Sequence, residues 1–117
     1  MLARSLTAAV WTPSGRGAVA TIRVRGDLAE LSERLAEFFQ AASGRAFNET
    51  SIGQIGFGRW GKEASEDVVV CRVQTDACEI HCHGGDAAVR RILSDLVSLG
   101  CEVVDWRTDV KLASKQT

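Results

Sequence analysis

The stretch from Glu79 to Gly85 reads EIHCHGG, and it joins a strand pattern to the start of a helix. Apolar and polar residues alternate up to His83, two glycines follow, and an amphipathic segment begins at Asp86. A strand that passes through a glycine turn into a helix N-terminus gathers backbone N–H groups and titratable side chains at one place. The stretch therefore predicts both a strand-to-helix boundary and a candidate ligand site.

A second glycine-rich turn lies near the N-terminus, where residues 12–17 read TPSGRG. The segment 18–25 that follows it alternates, which places Arg23 and Arg25 on one face of a strand. Guanidinium groups at such positions could pair with a ligand carboxylate through fork-like, charge-assisted hydrogen bonds. A solvent-facing arginine pair on a half-exposed strand explains the pattern equally well.

The composition is that of one globular domain. The chain has 117 residues, of which 45% are hydrophobic and 25% charged, and this is enough to build an ordinary core. Its formal net charge of −1 gives no basic surplus to support strong nucleic-acid binding by this domain alone. No apolar run approaches the ~20 residues that a transmembrane helix needs, and the segment from Met1 to Ser5 lacks the apolar core of a signal peptide. We therefore expect a cytoplasmic protein whose four cysteines are reduced, buried thiols.

Hydrophobic periodicity predicts one α+β domain with a mixed β-sheet and two main helices, in the order β-β-α-β-β-β-α-β. The first helix is expected over residues 27–42, and the second from Asp86 until Gly100 ends it. The strongest strand signal is DVVVCRV at residues 67–73, which is apolar enough to lie centrally in the sheet.

Two segments lie outside the regular pattern. Residues 51–60 predict a glycine-rich, irregular strand, and Phe57 and Trp60 on it could be available for pairing with a second copy if the strand is a sheet edge. The folded domain is expected to span residues 1–106. Residues 107–117 lack a core pattern and are expected to be a tail or the start of a truncated linker.

The histidines and cysteines of EIHCHGG raise two alternatives, a metal site and a catalytic thiol. Strand alternation places Cys78 and Cys82 on one face and Glu79, His81 and His83 on the other, so mixed cysteine–histidine coordination would need a bulge. A small metal-binding domain built on the second group is a weaker alternative, because residues two apart on a strand lie ~6–7 Å apart. Cys82 points away from both histidines and so lacks a base to activate it. Buried thiols and partly exposed histidines are the favoured interpretation.

Three motifs occur in an order that spans nearly the whole chain. They are TPSGRGAVATIRVRG at residues 12–26, a strand that starts at Asp67, and EIHCHGG with a helix that ends at Gly100. This combination resembles the N-terminal domain of the tRNA modification GTPase MnmE, also called TrmE, which typically shows TPxGRGxxxxIRxSG, a DE-led strand and ExxGHGG. The matching positions are Thr12, Pro13, Gly15, Arg16, Gly17, Ile22, Arg23, Gly26, Asp67, Glu79, His83, Gly84, Gly85 and Gly100.

The resemblance implies a domain that forms a homodimer and binds 5-formyltetrahydrofolate, the one-carbon donor for the wobble uridine of certain tRNAs. It also implies a flavin-dependent partner protein, MnmG or GidA. GTP hydrolysis in the family belongs to a separate G domain inserted in a helical domain. This chain contains no Gly-x-x-x-x-Gly-Lys-Ser/Thr segment, so we expect no GTP site in it and no catalysis by this domain alone.

The resemblance and the chemistry of a folate together imply a set of cofactor-binding residues. Arg23 could meet a carboxylate or a pterin carbonyl, and Glu79 could accept hydrogen bonds from pterin N–H groups. The backbone of the glycine pair could approach the ligand closely. The expected cofactor-binding residues are Arg16, Arg23, Glu79, His83, Gly84 and Gly85.

The chain also departs from the family pattern around this expected pocket. Only Gln74-Thr75-Asp76 stand where the family has a longer loop, Arg25 replaces the serine of IRxSG, and Cys82 replaces the glycine before the histidine. Trp106-Arg107-Thr108-Asp109 stands in place of the family's PGEFTxRAF motif. A second interpretation is therefore a divergent structural or interaction module that has kept the fold and lost the folate.

Overall fold

The computed structural model of the chain describes residues 6–11, 19–62, 65–83 and 85–114. Within these ranges the chain forms one sheet, three α-helices and one short 3₁₀ helix. The strands are β1 (Leu6–Val10), β2 (Ala20–Arg25), β3 (Phe39–Ala41), β4 (Ile55–Trp60), β5 (Glu66–Gln74), β6 (Ala77–Cys82) and β7 (Cys101–Val103). The helices are α1 (Leu28–Leu35), the 3₁₀ helix Phe47–Glu49, α2 (Gly85–Ser98) and α3 (Trp106–Ser114).

The strands lie in the order β3-β4-β5-β6-β2-β1-β7. Every neighbouring pair is antiparallel except β1 and β7, which run parallel. The predicted α+β class with a mixed sheet is therefore confirmed, and so is the interior position of β5. The observed order differs from the predicted one by an added short strand and an added third helix. No helix in the described part of the chain is long and apolar enough to cross a membrane.

The two faces of the sheet differ sharply. One face packs against α1 and α2, and its buried residues include Ile22, Val24, Cys78, Ile80 and Cys82. The opposite face, which we call the open face, carries the side chains at the alternate positions of the same strands. The register places two rows of side chains there: Ile55, Cys71, Glu79 and Arg23 in one, and Phe57, Val69, His81 and Thr21 in the other.

The prediction of a helix over residues 27–42 is correct at its start and wrong at its end. The Asp27 side chain caps α1 by accepting a hydrogen bond from the backbone N–H of Glu30 at 3.1 Å. However, α1 ends at Leu35, and Phe39–Ala41 form β3 against β4. Phe38 and Trp60 stack with ring centroids 5.8 Å apart, so aromatic packing against a distant strand overrides the local helical spacing.

Residues 51–60 do not form a sheet edge, which was one of the possibilities that the sequence left open. The strand is shorter, and β4 lies between β3 and β5. Trp60 is fully buried, and its indole N–H donates to Asp95 on α2 at 2.9 Å. Phe57 remains accessible at 68% exposure, but on the open face rather than along an edge.

Most of the segment expected to be a tail is helical. Residues 106–114 form α3, which packs against β1 at one corner of the open face. Asp109 of α3 is fully buried, and a buried carboxylate gives no hydrophobic periodicity for a pattern to detect. The domain boundary at residue 106 stays a prediction.

Gly58 of β4 occupies a position where a side chain does not fit. A Cβ atom there would overlap the backbone carbonyl oxygen of Gln40 and the ring of Phe39, both on the neighbouring β3. We expect Gly58→Ala to lower the free energy of unfolding by about 1–3 kcal/mol in urea denaturation. Gly56→Ala is the matched control, because its Cβ would lie 3.8 Å from the carbonyl oxygen of Val70, an ordinary contact. Equal losses in the two variants would contradict this explanation.

Candidate functional site

The structure brings Arg23 and Glu79 together, although 56 positions separate them in the sequence. They face each other across β2 and β6. Nε of Arg23 donates to Oε2 of Glu79 at 3.2 Å, and Nη2 of Arg23 ion-pairs with the same oxygen. The two side chains are 22% and 17% exposed, so the pair is largely shielded but still open to a ligand. Two of the expected cofactor-binding residues thus form one polar unit.

His81 extends this unit toward the neighbouring row of the open face. Its Nε2 lies 3.2 Å from Oε1 of Glu79, and its Nδ1 lies 3.2 Å from the hydroxyl oxygen of Thr21. A neutral imidazole with its proton on Nε2 satisfies both contacts, donating to the carboxylate and accepting from the hydroxyl. The sequence suggested His81 only as a metal ligand, and the structure makes it the link between Glu79 and the cleft described next.

A cleft of about 600 Å³ lies beside this network on the open face. Apolar side chains form much of its wall, and His81 and His83 bring polar groups to it. Its lining residues are Val19, Ala42, Phe57, Gly58, Arg59, Asp67, Val68, Val69, His81 and His83. Its size and its mixture of apolar walls with few polar groups are typical of small-molecule sites. A smaller cavity of about 370 Å³ beside α1 contains none of the expected cofactor-binding residues.

The remaining expected site residues are placed differently. His83 lines the cleft, whereas Arg16 and Gly84 lie outside the described residues. Gly85 is the first residue of α2 and has a φ of 67°, a left-handed conformation that glycine adopts without strain. It is not among the residues that line the cleft.

Arg25 lies on the same face as Arg23 but is buried within the fold. Its Nε donates to Oδ1 of Asp109 on α3 at 2.9 Å, and its Nη1 donates to Gln74 at 2.9 Å and reaches Asp76 at 3.4 Å. The idea of a solvent-facing arginine pair is therefore wrong. Arg25 thus anchors α3, the last residue of β5 and the turn that follows it, and of the two arginines only Arg23 belongs to the polar network beside the cleft.

The metal and thiol alternatives find no support in the geometry. Glu79 and His81 touch, but no group of three or more histidine, cysteine, aspartate or glutamate side chains in the described ranges could hold a metal ion. Cys82 is buried on the opposite face from His81, and burial, together with nearby Glu66, raises the pKa of its thiol. A protonated, buried thiol is a poor nucleophile.

The expectation of buried thiols is confirmed for three of the four cysteines. Cys78, Cys82 and Cys101 are buried and free. Cys71 is the exception, because it is only partly buried and lies opposite Glu79 on the open face. Its pKa is raised by desolvation and by the carboxylate of Glu79.

The buried thiols predict a loss of stability in alkali. Burial raises the pKa of Cys78 to about 12 and that of Cys101 to about 11, both above the ordinary value of 9.0. The folded state keeps these protons where the unfolded chain releases them. The free energy of unfolding should therefore fall above about pH 9, by about 1.4 kcal/mol per pH unit for each thiol.

Urea unfolding measured between about pH 8 and about pH 10 tests this expectation. Cys78→Ala should have a shallower slope than the parent chain, because one of the thiols whose pKa is raised by folding is gone. A variant with the same slope as the parent would show that other groups cause the loss. The chain contains no tyrosine to complicate this pH range.

Together, these features define a domain of the α+β class whose open sheet face carries a polar network beside a cleft. The model of the family described as GTP-binding protein TrmE N-terminus matches residues 6–106. The chain belongs to that family, as the motifs at its two glycine turns predicted.

Known relatives agree with this assignment. The chain is 33% identical over 110 residues to a tRNA modification GTPase MnmE of Geobacillus kaustophilus, and 31% identical over 110 residues to that of Geobacillus thermodenitrificans. Each match covers 84% of this chain and 23% of the relative. The protein of the same name from Oceanobacillus iheyensis is 29% identical over 116 residues, covering 90% of this chain and 24% of the relative. The chain thus spans about a quarter of the length of the curated relatives that it matches.

Proposed function

We propose that this chain is the folate-binding and dimerising domain of an MnmE-like tRNA modification GTPase, with 5-formyltetrahydrofolate as its ligand. The observation that supports this most directly is the network of Arg23, Glu79 and His81 beside a cleft of about 600 Å³. Membership in the TrmE N-terminal family supports the same conclusion independently.

The chemistry of a reduced folate fits this surface. Phe57 and Val69 offer apolar contact to the flat face of the pterin. His81 lines the cleft and contacts Glu79. The carboxylate of Glu79 can accept hydrogen bonds from the amino and ring N–H groups of the pterin. The guanidinium of Arg23 can meet a pterin carbonyl or a carboxylate of the glutamyl tail. We propose that these residues and His83 hold the ligand, with Arg16, Gly84 and Gly85 as further members of the site.

A scaffold without folate is the second candidate function. The observation in its favour is that Arg23 already has a carboxylate partner in Glu79, so a ligand must share or displace that pairing. The shortened connection at Gln74-Thr75-Asp76 favours the same alternative. Calorimetric titration with 5-formyltetrahydrofolate separates the two. Saturable binding near one ligand per chain supports the folate role, and a folded dimer that binds none supports the scaffold.

The open face also supports homodimer formation. Ile55 and Phe57 are 59% and 68% exposed on neighbouring positions of that face. Large apolar side chains in such a setting mark an interaction surface more often than an isolated exposed residue does. We propose that a second copy covers part of this face.

Phe57→Ala is expected to weaken the dimer about tenfold, because a large aromatic side chain at an interface contributes more than ~1 kcal/mol. Sedimentation over a range of concentrations measures the dissociation constant. Val97→Ala is the control, since Val97 is also exposed, at 52%, but lies on α2. An unchanged dissociation constant in Phe57→Ala would remove this face from the dimer interface.

We base a wider role in tRNA modification on the family to which the chain belongs. The domain would supply a one-carbon unit for the wobble uridine of tRNA, together with a flavin-dependent partner of the MnmG or GidA kind, in the cytoplasm. The net charge of −1 supports a role in which tRNA is bound mainly elsewhere. GTP hydrolysis would belong to a G domain outside this chain.

A further inference from the structure

Trp11 lies directly beneath the side chain that the proposed site depends on. The Cζ atom of Arg23 is 4.3 Å from the centroid of the Trp11 ring. A guanidinium at this distance over an indole is attracted to the negative face of the ring. Arg23 therefore has two partners, with Glu79 at its edge and Trp11 on its face. Together these contacts fix both the position and the plane of the guanidinium.

The Trp11 ring is itself held from the other side. Its Nε1 donates to Oδ2 of Asp109 at 3.0 Å, across 98 positions of sequence. Its ring also contacts that of Trp106, with centroids 5.8 Å apart and planes at 51°. Asp109 cannot move freely, because its carboxylate is fully buried and accepts from Nε of Arg25 at 2.9 Å. The orientation of Trp11 is thus set by α3.

We propose that Trp11 and Asp109 are positioning residues for Arg23, and that the docking of α3 thereby sets the geometry of the ligand site. The contacts form one continuous path from Asp109 through Trp11 and Arg23 to Glu79. The positioning of Arg23 by Trp11 and Asp109, which is the structural half of this inference, does not depend on any ligand. Its effect on a ligand rests on the proposed function, so the two halves need separate measurements.

Nuclear magnetic resonance of the Arg23 side chain tests the structural half without a ligand. The Nε–Hε signal of Arg23, assigned by its loss in Arg23→Lys, should carry an upfield ring-current shift from Trp11. Trp11→Ala should abolish that shift. Trp11→Phe keeps a ring face and should restore much of it. Asp109→Asn should alter it without removing any ring. A signal that is unchanged in Trp11→Ala and Asp109→Asn would overturn the inference.

Titration with 5-formyltetrahydrofolate tests the other half on the same proteins. Trp11→Ala should bind about fivefold to tenfold more weakly, with Trp11→Phe closer to the parent chain. Val110→Ala, an exposed change on α3, is the control and should bind like the parent. Equal affinity in Trp11→Ala and the parent would contradict positioning for this ligand. If the parent binds no folate, the proposed function fails, whereas the resonance of Arg23 still decides whether Trp11 and Asp109 position it.

Milder variants keep the proposal testable if Trp11→Ala does not fold. Trp11→Ala loses both a ring and a hydrogen bond, so it is the variant at greatest risk. Trp11→Phe and Asp109→Asn each change only one side of the path. If Asp109→Asn leaves the Arg23 signal as it is in the parent chain, the inference is overturned even without Trp11→Ala, whereas Trp11→Phe is expected to keep much of the shift.

Discussion

Arg23→Ala is expected to weaken the binding of 5-formyltetrahydrofolate by at least about tenfold, because a hydrogen bond to a charged group contributes about 1.5–3 kcal/mol. The side chain belongs to the polar network beside the cleft, where it holds Glu79 through its Nε and Nη2 groups. In the proposed site its loss would remove a direct ligand contact and would also release the carboxylate of Glu79, which we propose accepts from the pterin. Arg23→Lys should recover only part of the affinity, since an ammonium group cannot reproduce the planar fork of a guanidinium.

Two comparisons make this result specific. Arg91→Ala is the control, because Arg91 lies on α2, away from the open face, and pairs with Glu66 at 3.1 Å. It should bind folate like the parent chain. The thermal midpoint of each variant shows whether it is folded before its affinity is compared. A folded Arg23→Ala protein with unchanged affinity would exclude this arginine from the site. A folded parent chain that binds no folate would instead favour the scaffold function.

The strand faces could be predicted from sequence because they depend on local geometry. Alternation with a period of two residues is a property of every extended chain. It therefore placed Glu79 and His81 on one side and Cys78 and Cys82 on the other, as the structure confirms. The pairing of Arg23 with Glu79 needed the register of β2 and β6, which no local pattern contains.

The differences between the predicted and the observed fold have a common physical cause. Phe38 and Phe39 fit a helical stripe by spacing, but their packing is decided by Trp60 on another strand. The same contact draws Trp60 inward and gives β4 a neighbour on each side, so β4 is not a sheet edge. Aromatic side chains combine a large apolar surface with a preferred ring geometry. Non-local contacts of this kind can outweigh a weak helical propensity.

The buried ion pair of Arg25 and Asp109 could not be predicted from the sequence. Arg25 and Asp109 are 84 positions apart, and each alone has the pattern of a surface residue. The sequence shows that Arg25 replaces the serine of the family motif, but the role of this arginine depends on its pairing with Asp109. The role of Trp11 could not be predicted for the same reason, because it depends on contacts to Arg23 and Asp109, which are distant in sequence. Arg16 and Gly84 stay predictions.

Asp109→Ala is expected to lower the free energy of unfolding by about 3 kcal/mol, the usual cost of leaving one member of a buried ion pair without its partner. The Arg25 and Asp109 side chains are only 4% and 1% exposed. After the substitution Arg25 keeps Gln74 at 2.9 Å and Asp76 at 3.4 Å. These contacts place the expected loss at the lower end of the range. The Trp11 indole N–H also loses its acceptor.

Urea denaturation of four proteins tests this account. Asp105→Ala removes an exposed aspartate just before α3 whose Oδ1 accepts from the backbone N–H of Arg107 at 2.9 Å, so it should cost only the ~1 kcal/mol typical of a helix N-cap. The double variant Arg25→Met with Asp109→Leu should be more stable than Asp109→Ala, because it removes both members of the most buried ion pair instead of leaving one without its partner. The loss in Asp109→Ala should also persist in high salt, since buried pairs are screened little. A loss no larger than that of Asp105→Ala would mean that Asp76 and Gln74 alone hold the charge of Arg25. In that case α3 would be docked by its aromatic contacts rather than by its carboxylate.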